Sequence, residues 1–125
     1  MSQAERREVA ARFAHAVLRG DVAAARRALA RNEPALVTLV RRAAAPWKVQ
    51  HATVTPRPRR TGERWTFTYA GRRTYPDGRF ETETGSLVVF VGPAARGAGV
   101  TYFLFTDVRR RFSTHHDSVL LPSNR

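Results

Sequence analysis

The chain contains no cysteine. That excludes disulfides, thiolate zinc sites, iron–sulfur clusters and a cysteine nucleophile. A reducing interior suits such a chain, and the expected localisation is cytoplasmic. Lysine occurs once, at Lys48, so 21 of the 22 basic side chains are arginine. Acidic residues are scarce, ten against those 22. Long hydrophobic runs are missing too. The longest apolar candidate, Leu87 to Val91, has the length of a strand, and no membrane span is expected. The start, Met1 to Arg7, reads as the beginning of a helix and not as a signal peptide, because no uninterrupted apolar stretch follows it.

What remains is 125 residues, 42% apolar, enough for one core and one domain over 1–125. The net charge of +12 is the dominant compositional feature. A field of that sign draws in nucleic acid, acidic lipid or acidic protein. Arginine over lysine is a bias that GC-rich coding often produces, but such coding does not explain the shortage of acids.

The first third reads as helical. Ser2 to Glu5 matches a capping box, and Gly20 is a stop signal for a helix ending near Arg19. Val9, Ala10, Phe13, Ala14, Ala16 and Val17 form its apolar arc, and His15 falls between Arg12 and Arg19 on the opposite, solvated arc. Asp21 is expected to cap a second helix over Val22–Ala30. Asn32 is expected to cap a third, with Pro34 in its first turn and Pro46 blocking its continuation. From Trp47 the period falls to two. Strands are expected over Trp47–Thr55, around Trp65, Phe67 and Tyr69, over Arg79–Val91 and over Val100–Arg110, with a short one at Val119–Leu121. Loops are expected at Pro56–Gly62 and Gly92–Gly99, a tight turn at Tyr75-Pro76-Asp77-Gly78, and a bulge at Gly85. Helices over about 3–45 followed by strands over about 47–121 give an α+β fold. Three helices are expected to pack on a curved antiparallel meander of four to five strands.

The helix–Gly-Asp–helix stretch from Phe13 to Ala25, with this element order, resembles the nuclear transport factor two-like, or ketosteroid-isomerase-like, cystatin-like cone. The resemblance implies a sheet wrapped around the first helix, an apolar pocket, and a homodimer through the open sheet face. Catalytic members carry Asp, Tyr, His or Arg in the pocket, whereas this chain has few acids.

Candidate sites follow from the strands. Phe103, Phe105 and Asp107 share a face in a regular strand. A carboxylate there suits a general base, with Tyr69 or Tyr75 as hydrogen-bond donor to an oxyanion; a salt bridge with an arginine is the competing reading. Asp107 and Tyr69 are therefore the catalytic candidates, and Trp65, Tyr102 and Phe105 the pocket candidates. The stripe of Trp65, Phe67 and Tyr69 suits base stacking, or a core or dimer face. Antiparallel alternation brings Arg72, Arg73, Arg79 and Arg109, Arg110 and Arg111 to one end of the sheet, as an anion site or as a rim balanced by Glu81 and Glu83. His115-His116-Asp117 reads as a polar loop, since neighbours in an extended segment face apart; no metal and no cofactor is expected. No Gly-x-Ser-x-Gly elbow supports a nucleophilic triad. Two functions stand: a pocket for a small apolar ligand, with chemistry unassigned, and non-enzymatic binding of nucleic acid or another polyanion. Self-association through a sheet face is the third reading.

Overall fold

A computed structural model describes residues 2–47 and 50–113, and the backbone of 118–121. Helix α1 spans Gln3–Arg19. The Ser2 hydroxyl accepts the Glu5 N–H at 3.1 Å, satisfying a free helix donor. Gly20 at φ 77 closes the other end, and its N–H and that of Asp21 return to Val17 and Ala16. The apolar arc is buried, with Ala10, Phe13, Ala14, Ala16, Val17 and Leu18 fully inaccessible.

Helix α2 is shorter than its sequence suggests, Val22–Arg27, with the Asp21 carboxylate accepting from Ala24 N–H at 3.0 Å. The chain leaves the helix because a strand competes for its backbone. Ala30 N–H donates to the Val100 carbonyl, and Val100 N–H donates to the Ala28 carbonyl, both at 2.8 Å. A parallel bridge thus ties Leu29 to Val100. Helix α3, Pro34–Ala44, starts from Glu33 and not from Asn32, with no side-chain cap. A 3-10 turn over Ala45–Trp47 then buries Trp47 completely.

The strands are β1 (Ala52–Val54), β2 (Arg59–Thr61), β3 (Arg64–Thr74), β4 (Phe80–Ala94), β5 (Gly97–Ser113) and β6 (Ser118–Leu121). All pairings between them are antiparallel, in the order β1-β3-β4-β5-β6, with β2 also on the edge of β3. Three expectations change. Trp47 belongs to the helical layer, so the first strand begins only at Ala52. The Pro56–Gly62 loop contains β2, because Arg59–Thr61 folds back on Arg64–Thr66 around Gly62 at φ 62. The Gly92–Gly99 loop shrinks to a two-residue turn, since Ala94 already pairs with Gly97.

Register fixes two faces. On the covered face lie Trp65, Phe67 and Tyr69 of β3, Leu87, Val89 and Val91 of β4, and Val100 and Phe103 of β5, all buried against the helices. The aromatic stripe is therefore core, with Phe13 of α1 tilted against Phe103 at 5.0 Å between centroids. Burying each large side chain contributes about 1.5–3 kcal/mol, which explains why the helices seal this face and leave the other bare.

Candidate functional site

Toward the Tyr75–Gly78 turn the covered face becomes polar. Glu83 is 2% exposed and accepts from Tyr69 Oη at 2.6 Å, Arg73 Nη2 at 3.1 Å and Arg110 Nε at 3.0 Å. Glu81 accepts from Tyr75 Oη at 3.1 Å and lies 3.5 Å from Arg110 Nε. Strand parity builds this cluster. Arg73 is the register partner of Glu81, and Arg110 that of Glu83, so all four point to one face. Trp47 roofs it, edge-on to Tyr69 at 5.9 Å, with the Arg73 guanidinium 5.7 Å from its ring. Two glycines make room. A Cβ on Gly71 would stand 2.2 Å from Trp47 Cζ3, and one on Gly85 would stand 2.8 Å from Tyr69 Oη. The signal for this cluster was present in the sequence as the i, i+2 repeat of Glu81 and Glu83. Only the bulge described next aims Arg110 at them.

The candidate catalytic pair is not assembled. Between Thr84–Arg109 and Ser86–Thr106 the register slips, so Asp107 and Val108 together oppose Gly85. The extra residue sits in β5 and not at Gly85. Asp107 adopts φ 53, the only non-glycine left-handed residue among those described, and its side chain is exposed. A regular strand would have put Asp107 beside Phe105; the bulge turns it out to solvent. Tyr69, 4% exposed, gives its hydroxyl to Glu83. The pocket candidates separate as well. Trp65 is 5% exposed in the core, and Phe105 packs edge-on against Tyr69 at 5.7 Å. Tyr102 faces the opposite way, 48% exposed beside Phe90. A cavity of about 820 Å3 does exist, but it lies outside the helix–sheet core, and its lining includes none of these residues.

The rim arginines divide by the same parity. Arg73 and Arg110 turn inward to the carboxylates. Arg72, Arg109 and Arg111 turn outward and are exposed, and none makes an ion pair among the described residues. Register places Arg72, Thr82 and Arg111 in one row across the sheet, with Ala70, Thr84 and Arg109 in the next. A shallow groove of about 350 Å3 runs there, lined by Thr82, Thr84, Arg109, Arg110 and Arg111. The Arg72 guanidinium lies 4.0 Å over the Phe80 ring, and Arg64 lies 5.9 Å over that of Phe90. Apart from bulged Asp107, the outward positions of β3, β4 and β5 carry no carboxylate. Arg79 leaves the row to pair with Asp77 in its own turn. His115, His116 and Asp117 fall outside the described residues. Comparison of the chain with protein-family models, with curated proteins and with solved structures finds no match.

Proposed function

We propose that this chain is a non-enzymatic binder of single-stranded nucleic acid, using the open face of its sheet. The observation that carries the reading is the division of the rim arginines. The two that meet carboxylates are withdrawn beneath the sheet, while Arg72, Arg109 and Arg111 stand on the bare face with no ion pair among the described residues. Guanidiniums on a rigid strand are pre-spaced for phosphate oxygens, and the Thr82 and Thr84 hydroxyls beside them are further donors. Phe80, Phe90 and Tyr102 on the same face provide ring surfaces on which bases stack. The aromatics expected to stack bases, Trp65, Phe67 and Tyr69, are sealed in the core, and the outward set takes over that role. The cone resemblance belongs to the same proposal, for it supplies the open sheet face. The small apolar ligand under the sheet has less support, since Trp65 and Tyr69 are buried in the core and Tyr102 faces the other way.

The test is fluorescence anisotropy of a labelled single-stranded oligonucleotide over a range of salt. Binding should weaken with a logarithmic slope of about −0.7 per phosphate contacted. Absence of binding at low salt, or binding indifferent to salt, overturns the reading. Sedimentation at the same protein concentration addresses the competing one: a dimer that buries this face and releases no monomer on adding oligonucleotide also overturns it.

A further inference from the structure

A cleft on the far side of α1 from the sheet's ionic cluster meets the requirements of a second, unrelated site. We infer that it binds a small organic anion with an apolar body. The cleft encloses about 820 Å3, within the range of small-molecule sites. It is formed by the polar face of α1, by the segment after α2, and by the β4–β5 turn. That arrangement depends on the Leu29–Val100 bridge, which draws the chain after α2 onto β5. It also depends on Gly99, where a Cβ would lie 2.4 Å from Ala30 Cα. Leu29 and Val100 are themselves buried in the core, so the same bridge anchors the cleft to it.

The chemistry of the lining is two-part. Arg12, His15 and Arg19 come from α1, Arg27 from the end of α2, and Arg96 from the turn. Between them the floor is small and apolar, including Ala11, Ala28 and Ala98. His15, expected to be solvated, is half-buried and lines the same cleft as the β4–β5 turn. Glu8 is the single carboxylate among the described lining residues, and no ion pair joins it or any other described carboxylate to these four arginines. Like charges converging on one concavity repel in a medium that screens them less than bulk water. A bound anion reverses that sign. An inorganic ion would leave most of the volume and all of the alanine floor unused, whereas an apolar body removes that floor from water. The shared chemistry is a carboxylate or phosphate head on a hydrocarbon body.

Titration calorimetry of the full chain at about 150 mM salt, where surface attraction is screened, tests the site with octyl phosphate, octanoate, octanol and inorganic phosphate. Octyl phosphate or octanoate should saturate at one per chain and bind at least about tenfold tighter than octanol or inorganic phosphate; whichever is tighter identifies the head group. Arg12→Gln with Arg96→Gln should weaken that binding about tenfold or more, and Ala28→Phe should abolish it by filling the floor. The arginine pair is exposed, so that variant should keep the parent's circular dichroism and melting even if Ala28→Phe does not fold. Arg109→Gln with Arg111→Gln should leave octyl binding unchanged, which separates this site from the oligonucleotide face. Octanol binding as tightly as the anions, unsaturable binding, or unchanged affinity in the Arg12/Arg96 variant overturns the inference.

Discussion

Glu83 and Arg110 stand opposite each other on β4 and β5, and the Arg110 guanidinium donates to the Glu83 carboxylate at 3.0 Å beneath the sheet. Arg73 reaches the same carboxylate oxygen from β3. One buried anion therefore holds two cations whose side chains are 21% and 15% exposed. Removing it leaves the two guanidiniums only the more distant Glu81 carboxylate, 3.5 Å from Arg110 and 4.0 Å from Arg73. Glu83→Ala should cost about 3 kcal/mol, a fall in Tm of roughly 12 °C for a chain of this size. Urea denaturation and thermal melting both report it. A variant that melts with the parent would show that the cluster contributes nothing to stability.

Arg109 and Arg110 are neighbours in sequence and should behave oppositely. Arg109 faces solvent, so Arg109→Gln should change stability by less than about 0.5 kcal/mol. It should weaken oligonucleotide binding and reduce the steepness of the salt dependence by about 0.7 in logarithmic slope. Arg110→Gln should lower Tm instead, by withdrawing a partner from Glu83, and should leave the salt slope unchanged. Equal effects of the two on binding would count against the outer face as the binding surface.

The covered end of the sheet relies on a close approach of Trp47 to the β3 backbone. A methyl group at Gly71 has no space beneath the indole ring. Gly71→Ala should therefore destabilise by about 1–3 kcal/mol, the usual cost of overpacking. In a Trp47→Ala background, itself costly by about 3–5 kcal/mol, the added methyl should be tolerated or even favourable. A double-mutant cycle in denaturant measures the coupling. Additive costs would mean that the ring does not rest on Gly71.

Periodicity made the architecture legible. The capping box at Ser2, the stop at Gly20, the alternation from Trp65 to Tyr69 and the Pro-Asp-Gly turn are local signals, and each element formed where its signal lay. What escaped were pairings whose partner is distant. Ala28–Ala30 leave the helix for Val100, and Arg59–Thr61 become a strand only because β3 offers an edge. The single-residue slip at Asp107 had the widest effect. Alternation counted from Phe103 puts Asp107 inside and Arg110 outside, and one extra residue in β5 inverts both. That slip turned Asp107 out to solvent and brought Arg110 to the glutamates.

Tyr75 gives the fold a dependence on alkaline pH. Partial desolvation, then the hydrogen bond to Glu81, hold its phenol above the ordinary tyrosine range. The neutral phenol is thus favoured in the folded state. Its contribution is complete below the unfolded value of about 10, and it is lost as pH rises through the higher folded value. The denaturation midpoint of the parent should fall through that window, while Tyr75→Phe, with no proton to lose there, should stay flatter. The gap between the two should close as pH rises. Asp77, in the same turn, has the opposite sign. The Arg79 N–H it accepts holds its carboxyl below the ordinary range, so its contribution is present above an unfolded value near 3.8 and is lost as pH falls through the lower folded one. Asp77→Asn should flatten the acid limb and leave the alkaline limb as in the parent. Midpoints in urea at pH values spanning both limbs, with phenolate absorbance followed on the alkaline side, separate the two residues. An alkaline limb unchanged in Tyr75→Phe would show that the Tyr75–Glu81 bond does not couple to folding.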